Sequence, residues 1–440
     1  MVEVIEVRLW ETQLGALSYD SSSGVGTFQY SDEWIKNFGY SISPINIPCR
    51  SGSKFTFAGL NPETYKGLPG AFADTLPDDF GNAVIDAWLS QQGRSLKSLS
   101  PLERLLYQGS RGMGAIEYAP AKNISGLNID SNIMIDSLTQ MAQDVLDRRS
   151  GLIENIVNEK KSALLNLLQV GTSAGGARPK AVIGLNKERT EVRSGQVNLP
   201  PNFDYYLLKF DGVVESSNAS ETFGDPKGFG RMEYAYYLMA KDCGINMSLC
   251  DLLHDGDRAH FITQRFDRQN GNKIHMQSLC AMDHADYKRP GYYSYEQLFL
   301  LMRELSIGFS DAEELLKRMI FNFVARNHDD HTKNFSFLMG KDGTWILSPA
   351  YDVAYSYKPG SEWVDQHQLS LNGKRTNFTR NDIKSSINNI SSKLGSKVDS
   401  ILDETIDVVK QWDNYSNKAG VFDALSSEIK SNFRLDFKRG

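Results

Sequence analysis

Residues 327–352 hold the densest set of reactive side chains in this chain. They read Asn327-His328-Asp329-Asp330-His331-Thr332-Lys333-Asn334, then Phe335–Leu338, a short turn, and Ser348-Pro349-Ala350-Tyr351-Asp352. A His-Asp-x-x-x-x-Asn spacing followed by a later aspartate suits transfer of a phosphoryl group. The carboxylate of Asp329 can accept the proton of an attacking hydroxyl. The amide oxygen of Asn334 and the carboxylate of Asp352 are hard ligands of the kind that hold magnesium against ATP phosphates. A polar loop between a helix and a hairpin looks the same locally, so the motif counts only with partners elsewhere in the chain.

The elements on either side can position these groups. The spacing predicts a helix over 312–326, with Leu315, Leu316, Met319, Ile320, Phe323 and Val324 as its buried stripe. Ser310 with Glu313 reads as its capping box. Such a helix delivers Asn327 and His328 to its C-terminal end. Phe335–Leu338 and Thr344–Leu347 read as a hairpin around Gly340-Lys341-Asp342-Gly343, returning Asp352 beside Asn334.

Upstream lie the groups that a phosphate donor would need. Thr172-Ser173-Ala174-Gly175-Gly176-Ala177-Arg178-Pro179-Lys180 is a small-residue loop feeding an apolar strand. It lacks the Gly-Lys-Ser/Thr of a Walker loop. Its glycines still let backbone N–H groups approach a polyphosphate, and Ser173 and Lys180 add donors. A flexible structural loop has the same composition. Tyr205–Phe210 is a strand with Lys209 inside an apolar run. A buried lysine calls for an anionic partner, such as phosphate plus a carboxylate. An edge-strand lysine reaching water is the other reading. Glu233, near the start of a helix over 232–241 that Gly244 stops, can pair with Lys209 or favour the helix dipole. His260–Gln264 then leads into Arg265-Phe266-Asp267-Arg268. A two-lobed phosphotransferase places its adenine-binding hinge at such a point, through backbone groups of residues like Gln264 and Phe266, and the charged residues tie the hinge down.

The remaining segments are read as framework. Val2–Trp10, Gly15–Tyr19 and Thr27–Tyr30 read as strands. Pro77 with Asp78 and Asp79 suits the first turn of a helix running through Ala83–Leu89. Gly109, Gly112 and Gly114 make a tight turn rather than a phosphate cradle, because no lysine or helix start follows. Helical periodicity covers 133–146 and 153–168, broken near 149–151, and returns at 294–303, 382–395 (capped by Thr379), 397–412 and 421–433.

Composition narrows the class. The 440 residues exceed one ordinary core. An apolar content of 40% and a charged content of 23% are those of a globular protein. A formal charge of −6 argues against nucleic-acid binding through a broad basic surface. Cys49, Cys243, Cys250 and Cys280 form no metal spacing and read as reduced thiols. With no signal core and no membrane-length apolar run, the expected location is the cytoplasm.

Taken together, Ser173–Lys180, Lys209, Gln264–Arg268, Asp329–Ser336 and Tyr351-Asp352 resemble the HipA family of bacterial serine/threonine kinase toxins. Phe72–Asp78 and the Gly114-Ala115 turn resemble that family's N-terminal subdomain. The resemblance implies an α+β, two-lobed protein-kinase-like fold with a β-rich N-terminal subdomain (1–120), an N-lobe with ATP loop and hinge (121–270) and a mainly helical C-lobe (271–440). It implies ATP and magnesium as cofactors, Asp329 as base, and Asn334 and Asp352 as metal ligands. The nucleotide would be bound by Ser173, Ala174, Gly175, Gly176, Ala177, Lys180, Lys209, Gln264, Phe266, His331, Lys333, Asn334 and Asp352. Ser173 falls on the family's inhibitory autophosphorylation serine. The implied partners are a HipB-type DNA-binding antitoxin, which makes the main DNA contacts, and a protein substrate such as a translation factor or aminoacyl-tRNA synthetase. No membrane is implied.

Two departures bear on the site. Many members have Asp-Gly-His-x-Lys-Asn where this chain has Asp329-Asp330-His331-Thr332-Lys333-Asn334, so a second carboxylate competes for the role of base; the spacing to Asn334 favours Asp329. Ala177-Arg178-Pro179-Lys180 stands where some members have Gln-Glu before the lysine, and Thr172 adjoins Ser173. Three other readings stand beside the first: a small-molecule kinase, a catalytically silent co-repressor, and a metal-dependent phosphohydrolase built on His328-Asp329 with His284, His331 or Asp352.

Overall fold

The computed structural model describes residues 2–121, 132–150, 156, 160–171, 178–215, 224–269 and 271–438. The chain forms two compact units. One comprises 1–43, 47–230 and 251–276, the other 44–46, 231–250 and 277–440. Arg231–Cys250 thus packs with the C-terminal helices. Among the described residues no helix is long and apolar enough to cross a membrane.

The first unit contains two five-stranded sheets. One runs in the order Lys54–Thr56, Val25–Tyr30, Thr12–Asp20, Val2–Leu9, Ile116–Ala119, with every neighbouring pair antiparallel. The other runs Cys250–Asp255, Arg258–Gln264, Phe203–Lys209, Lys180–Asn186, Val192–Ser194. Every residue of Lys180–Asn186 is buried, because helices Asp79–Ser90, Ile135–Arg149 and Lys161–Gly171 share one core with this sheet through Phe80, Val84, Leu138, Leu164, Ile183 and Leu208. The second periodic run expected from 153 is helical from Lys161 among the described residues.

The second unit is mostly helical. Its long helix spans Phe309–Val324, and the whole expected stripe is at most 1% exposed. The expected capping box at Ser310 does not form. Gly308 is the N-cap, Ser310 lies inside the first turn, and Glu313 is drawn to Lys397 at 2.7 Å. Pro77 likewise precedes its helix: Asp78 is the cap, accepting from Gly81 N at 2.6 Å, since a short carboxylate satisfies the first N–H groups better. Thr379 does cap Arg380–Ile390, in a box closed by Asp382. The expected helix over 382–395 divides at Ser391 and resumes as Ser392–Gly395. Trp412–Ala419 is an additional helix whose polar sequence hid its period.

His275 is buried in the first unit, with Nε2 3.4 Å from Ile42 O. Burial pulls its pKa down from 6.5 to about 4, against the raising effect of that carbonyl. The unfolded chain therefore binds the proton more readily, so stability is complete above pH 6.5 and falls as pH drops toward about 4. This residue alone should cost about 2 kcal/mol at about pH 5. Urea midpoints at neutral and mildly acidic pH should converge in His275→Phe relative to the parent; an unchanged slope would remove His275 as a contributor.

Candidate active site

The long helix ends at Val324, and the chain turns through Arg326 at φ 58° into the polar loop. Asn327 is tied back to the helix: its N bonds Asn322 O at 3.0 Å and its side chain bonds Asn322 Oδ1 at 2.9 Å. His328 is fully buried. Its Nδ1 lies 3.2 Å from Val364 O, and its ring packs 4.1 Å from His367 and 4.9 Å from Tyr357. Burial, with His367 and Arg326 nearby, pushes its pKa down to about 2. It is a core histidine, neutral at any physiological pH.

The two adjacent aspartates face opposite environments. Asp330 is fully buried and both its oxygens are engaged. Oδ2 accepts from Tyr295 Oη at 2.7 Å and lies 2.9 Å from His367 Nδ1; Oδ1 accepts from Gln368 N at 2.7 Å and Leu369 N at 3.4 Å. Tyr295 in turn accepts from Asn322 Nδ2 at 3.1 Å. Burial, then the Asp330 carboxylate, raises the Tyr295 phenol well above its ordinary range, so it stays a donor. Asp329, by contrast, keeps 42% of its side chain exposed. Asp329 is the carboxylate of the pair that can receive an outside proton.

Asn334 is oriented by the same loop. Its Nδ2 donates to Asp329 O at 2.7 Å, which turns the amide oxygen away from that carbonyl. His331 Nε2 lies 3.7 Å from Asp329 Oδ1. Its ring is 5.5 Å from Tyr287, over which Lys333 Nζ sits at 4.8 Å. Thr332 anchors the loop from beneath by donating to Ala285 O at 2.6 Å.

The hairpin forms as Ser336–Met339 against Trp345–Leu347. Tyr351 then hooks the returning chain to the loop. Its hydroxyl donates to Lys333 O at 2.7 Å and lies 2.5 Å from Ser336 Oγ. The neighbour of Asp352 is thereby bonded to the neighbour of Asn334. Asp352 itself has φ 53°, a left-handed conformation that aspartate tolerates better than most residues. Asn334 and Asp352 supply hard oxygens suited to magnesium, which keeps further positions for phosphate oxygens and water. Among the described residues no group of three or more His, Cys, Asp and Glu side chains could hold a metal ion. With His328 sequestered, the site does not suit a histidine-rich phosphohydrolase. His284 is also driven to neutrality by burial, its pKa falling to about 4.

In the other unit, Lys180 and Lys209 are direct cross-strand partners, 3% and 6% exposed. Like charges at such a position repel, and burial sharpens the need for compensating negative charge. Lys209 Nζ also lies 5.7 Å from the Phe261 ring centroid. Glu233, buried in the helix Phe229–Asp242, belongs instead with the C-terminal unit. Gln264 ends its strand, and Arg265 N bonds Tyr205 O at 2.9 Å just before Phe266. Thr172, Ser173, Ala174, Gly175, Gly176 and Ala177 lie outside the described residues. Sequence reading gave no role to Tyr295, His367, Gln368 and Tyr287, which pack or bond against the loop, and named Tyr351 only as part of a motif. Only their polarity beside apolar runs could have flagged them.

Removing Asp330 should strip a buried network of its acceptor. Asp330→Ala is expected to cost about 3–5 kcal/mol, whereas Asp329→Ala should stay within about 0.5 kcal/mol of the parent. Chemical denaturation of both variants checks this, and equal losses would overturn the assignment of roles.

Comparison with known proteins gives concordant matches. The HipA-like C-terminal domain family matches residues 172–412, and the HipA N-terminal domain family matches residues 5–119. A Haemophilus influenzae protein named "Putative kinase" is 30% identical over 218 residues, 46% of this chain and 58% of that protein. The chain thus spans little more than half of that relative's length. The "Serine/threonine-protein kinase toxin HipA" of Shewanella oneidensis is 22% identical over 375 residues, 79% of this chain and 74% of the toxin. A solved complex of HipA, HipB and operator DNA from Shewanella oneidensis superimposes with a TM-score of 0.64 at 17% identity, covering 97% of this chain and 94% of its counterpart. That likeness bears out the expected α+β, two-lobed kinase-like fold.

Proposed function

The chain belongs to the HipA family, and from that premise we propose that it is an ATP- and magnesium-dependent protein serine/threonine kinase acting as the toxin of a HipA/HipB-type pair. The observation that carries this reading is the division of labour between Asp329 and Asp330. One carboxylate is open to solvent while its neighbour is spent on holding the loop.

In this reading Asp329 accepts the proton of the acceptor hydroxyl as that oxygen attacks phosphorus. His331, 3.7 Å from Asp329 Oδ1, steadies the carboxylate. Asn334 and Asp352 would hold magnesium, which when bound neutralises the phosphate charge. Lys180 and Lys209 would contact the nucleotide's phosphates. Backbone groups of Gln264 and Phe266 would contact adenine, and Lys333 contributes to nucleotide binding. Phosphate on Ser173 would add about −1.5 to −2 charges to the glycine-rich loop and expel it from its bound position. The partners in this reading are a HipB-type DNA-binding antitoxin and a translation-related protein substrate.

Mass spectrometry after incubation with magnesium-ATP tests this directly. Phosphate is expected on Ser173 and on a serine or threonine of a translation factor or aminoacyl-tRNA synthetase. Asp329→Ala should lower transfer by about 10²–10⁴-fold. Undiminished transfer in that variant would sink the reading of Asp329. Labelling of metabolites alone would favour a small-molecule kinase, and failure to bind magnesium-ATP would favour a silent co-repressor.

A further inference from the structure

Asp267 is 0% exposed and is the centre of a charged cluster that the catalytic reading does not use. Its Oδ1 accepts from Arg265 Nε at 2.8 Å. Its Oδ2 accepts from Arg265 Nη2 at 2.7 Å, Arg268 Nη1 at 2.7 Å and Gly114 N at 2.7 Å. Both arginines also reach the turn at Gly112–Gly114. Arg268 donates to Gly114 O and Gly112 O, each at 3.0 Å, and Arg265 to Gly112 O at 3.5 Å. Burial alone would raise the Asp267 carboxyl, but the two guanidinium groups outweigh it and hold the group ionised far below the usual range.

The turn is built for this contact. Gly114 has φ 73°, and a Cβ there would come within 3.0 Å of Met276 N and 3.2 Å of Met276 O. A further tie runs alongside. Lys273 Nζ donates to Ser110 O and Glu117 Oε1, each at 2.5 Å, and Trp10 Nε1 donates to Lys273 O at 2.9 Å. Phe266 lies between two fixed backbone points, Arg265 N on Tyr205 O and Asp267 O accepting Ile274 N at 3.0 Å.

We propose that Asp267 is a positioning residue for nucleotide binding: through it the Gly112–Gly114 turn of the N-terminal region sets the backbone at Gln264–Phe266 and so sets both affinity for and selectivity toward the adenine base. This rests on the reading of Gln264 and Phe266 as the adenine-contacting segment. A cluster that merely packed two segments together would affect stability alone. A positioning cluster affects base recognition while the chemical groups on Asp329 and Asn334 stay in place.

The test uses the full-length chain and measures dissociation constants for magnesium-ATP and magnesium-GTP, together with kcat and KM for ATP. Asp267→Asn and Gly114→Ala should each weaken ATP binding roughly tenfold, about the loss of one good hydrogen bond. The ratio of GTP to ATP dissociation constants should shrink, and kcat should stay within about twofold, as expected for lost uniform binding. Lys273→Met, which cuts the neighbouring tie without touching Asp267, should leave the ratio unchanged. If Asp267→Asn does not fold, Gly114→Ala decides the matter, since it disturbs the turn and leaves the carboxylate intact. Folded variants with parental ATP affinity and base selectivity would overturn the proposal alone. Absence of ATP binding in the parent chain would sink the kinase reading and this proposal with it.

Discussion

A buried carboxylate surrounded by donors is the interaction on which the C-terminal unit depends. Asp330 gathers a helix residue, Tyr295, and the backbone and side chain of 367–369 around one charge. An ionised group is expensive to bury unless each lone pair finds a donor, and such a network is correspondingly intolerant of deletion. The same requirement fixes geometry. Tyr295 is held by Asn322 of the long helix, and Asn322 also holds Asn327. The chain from helix to loop is thus closed by hydrogen bonds before any exposed group is reached. Asp329 and Asn334 inherit their positions from that closure.

The candidate residues were legible as a cluster, which the structure ties together through Asn334 on Asp329 O and Tyr351 on Lys333 O. Asp329, Asn334 and Asp352 were chosen because phosphoryl transfer calls for particular residue types at particular spacing. The stripe from Leu315 to Val324 was legible too, since burial of one helical face leaves a period. What holds the loop was not. Tyr295, His367 and Gln368 act through contacts across 35 to 38 positions of sequence, and no local pattern records a partner that far away. The spacing to Asn334 singled out Asp329 but could not express burial, which leaves Asp329 half-exposed and encloses Asp330.

Local signals also failed where a tertiary contact outbid them. Ser310 and Glu313 make a sound capping pair on paper, but Glu313 meets Lys397 instead. The Gly112–Gly114 turn read as a local feature, and its purpose lies in residues more than 150 positions later. The charged segment at 265–268 was read as bracing a hinge, yet its partner could not be named, because carbonyl and N–H groups of glycines leave no side-chain signature.

The opposed lysines on the central sheet of the first unit have a consequence of their own. Lys180 and Lys209 share one ladder position, so neither has an independent energetic value. Deleting one changes the electrostatic surroundings of the other. Their contributions are therefore coupled, as for any pair in direct contact. What either lysine contributes is defined only with the other in place.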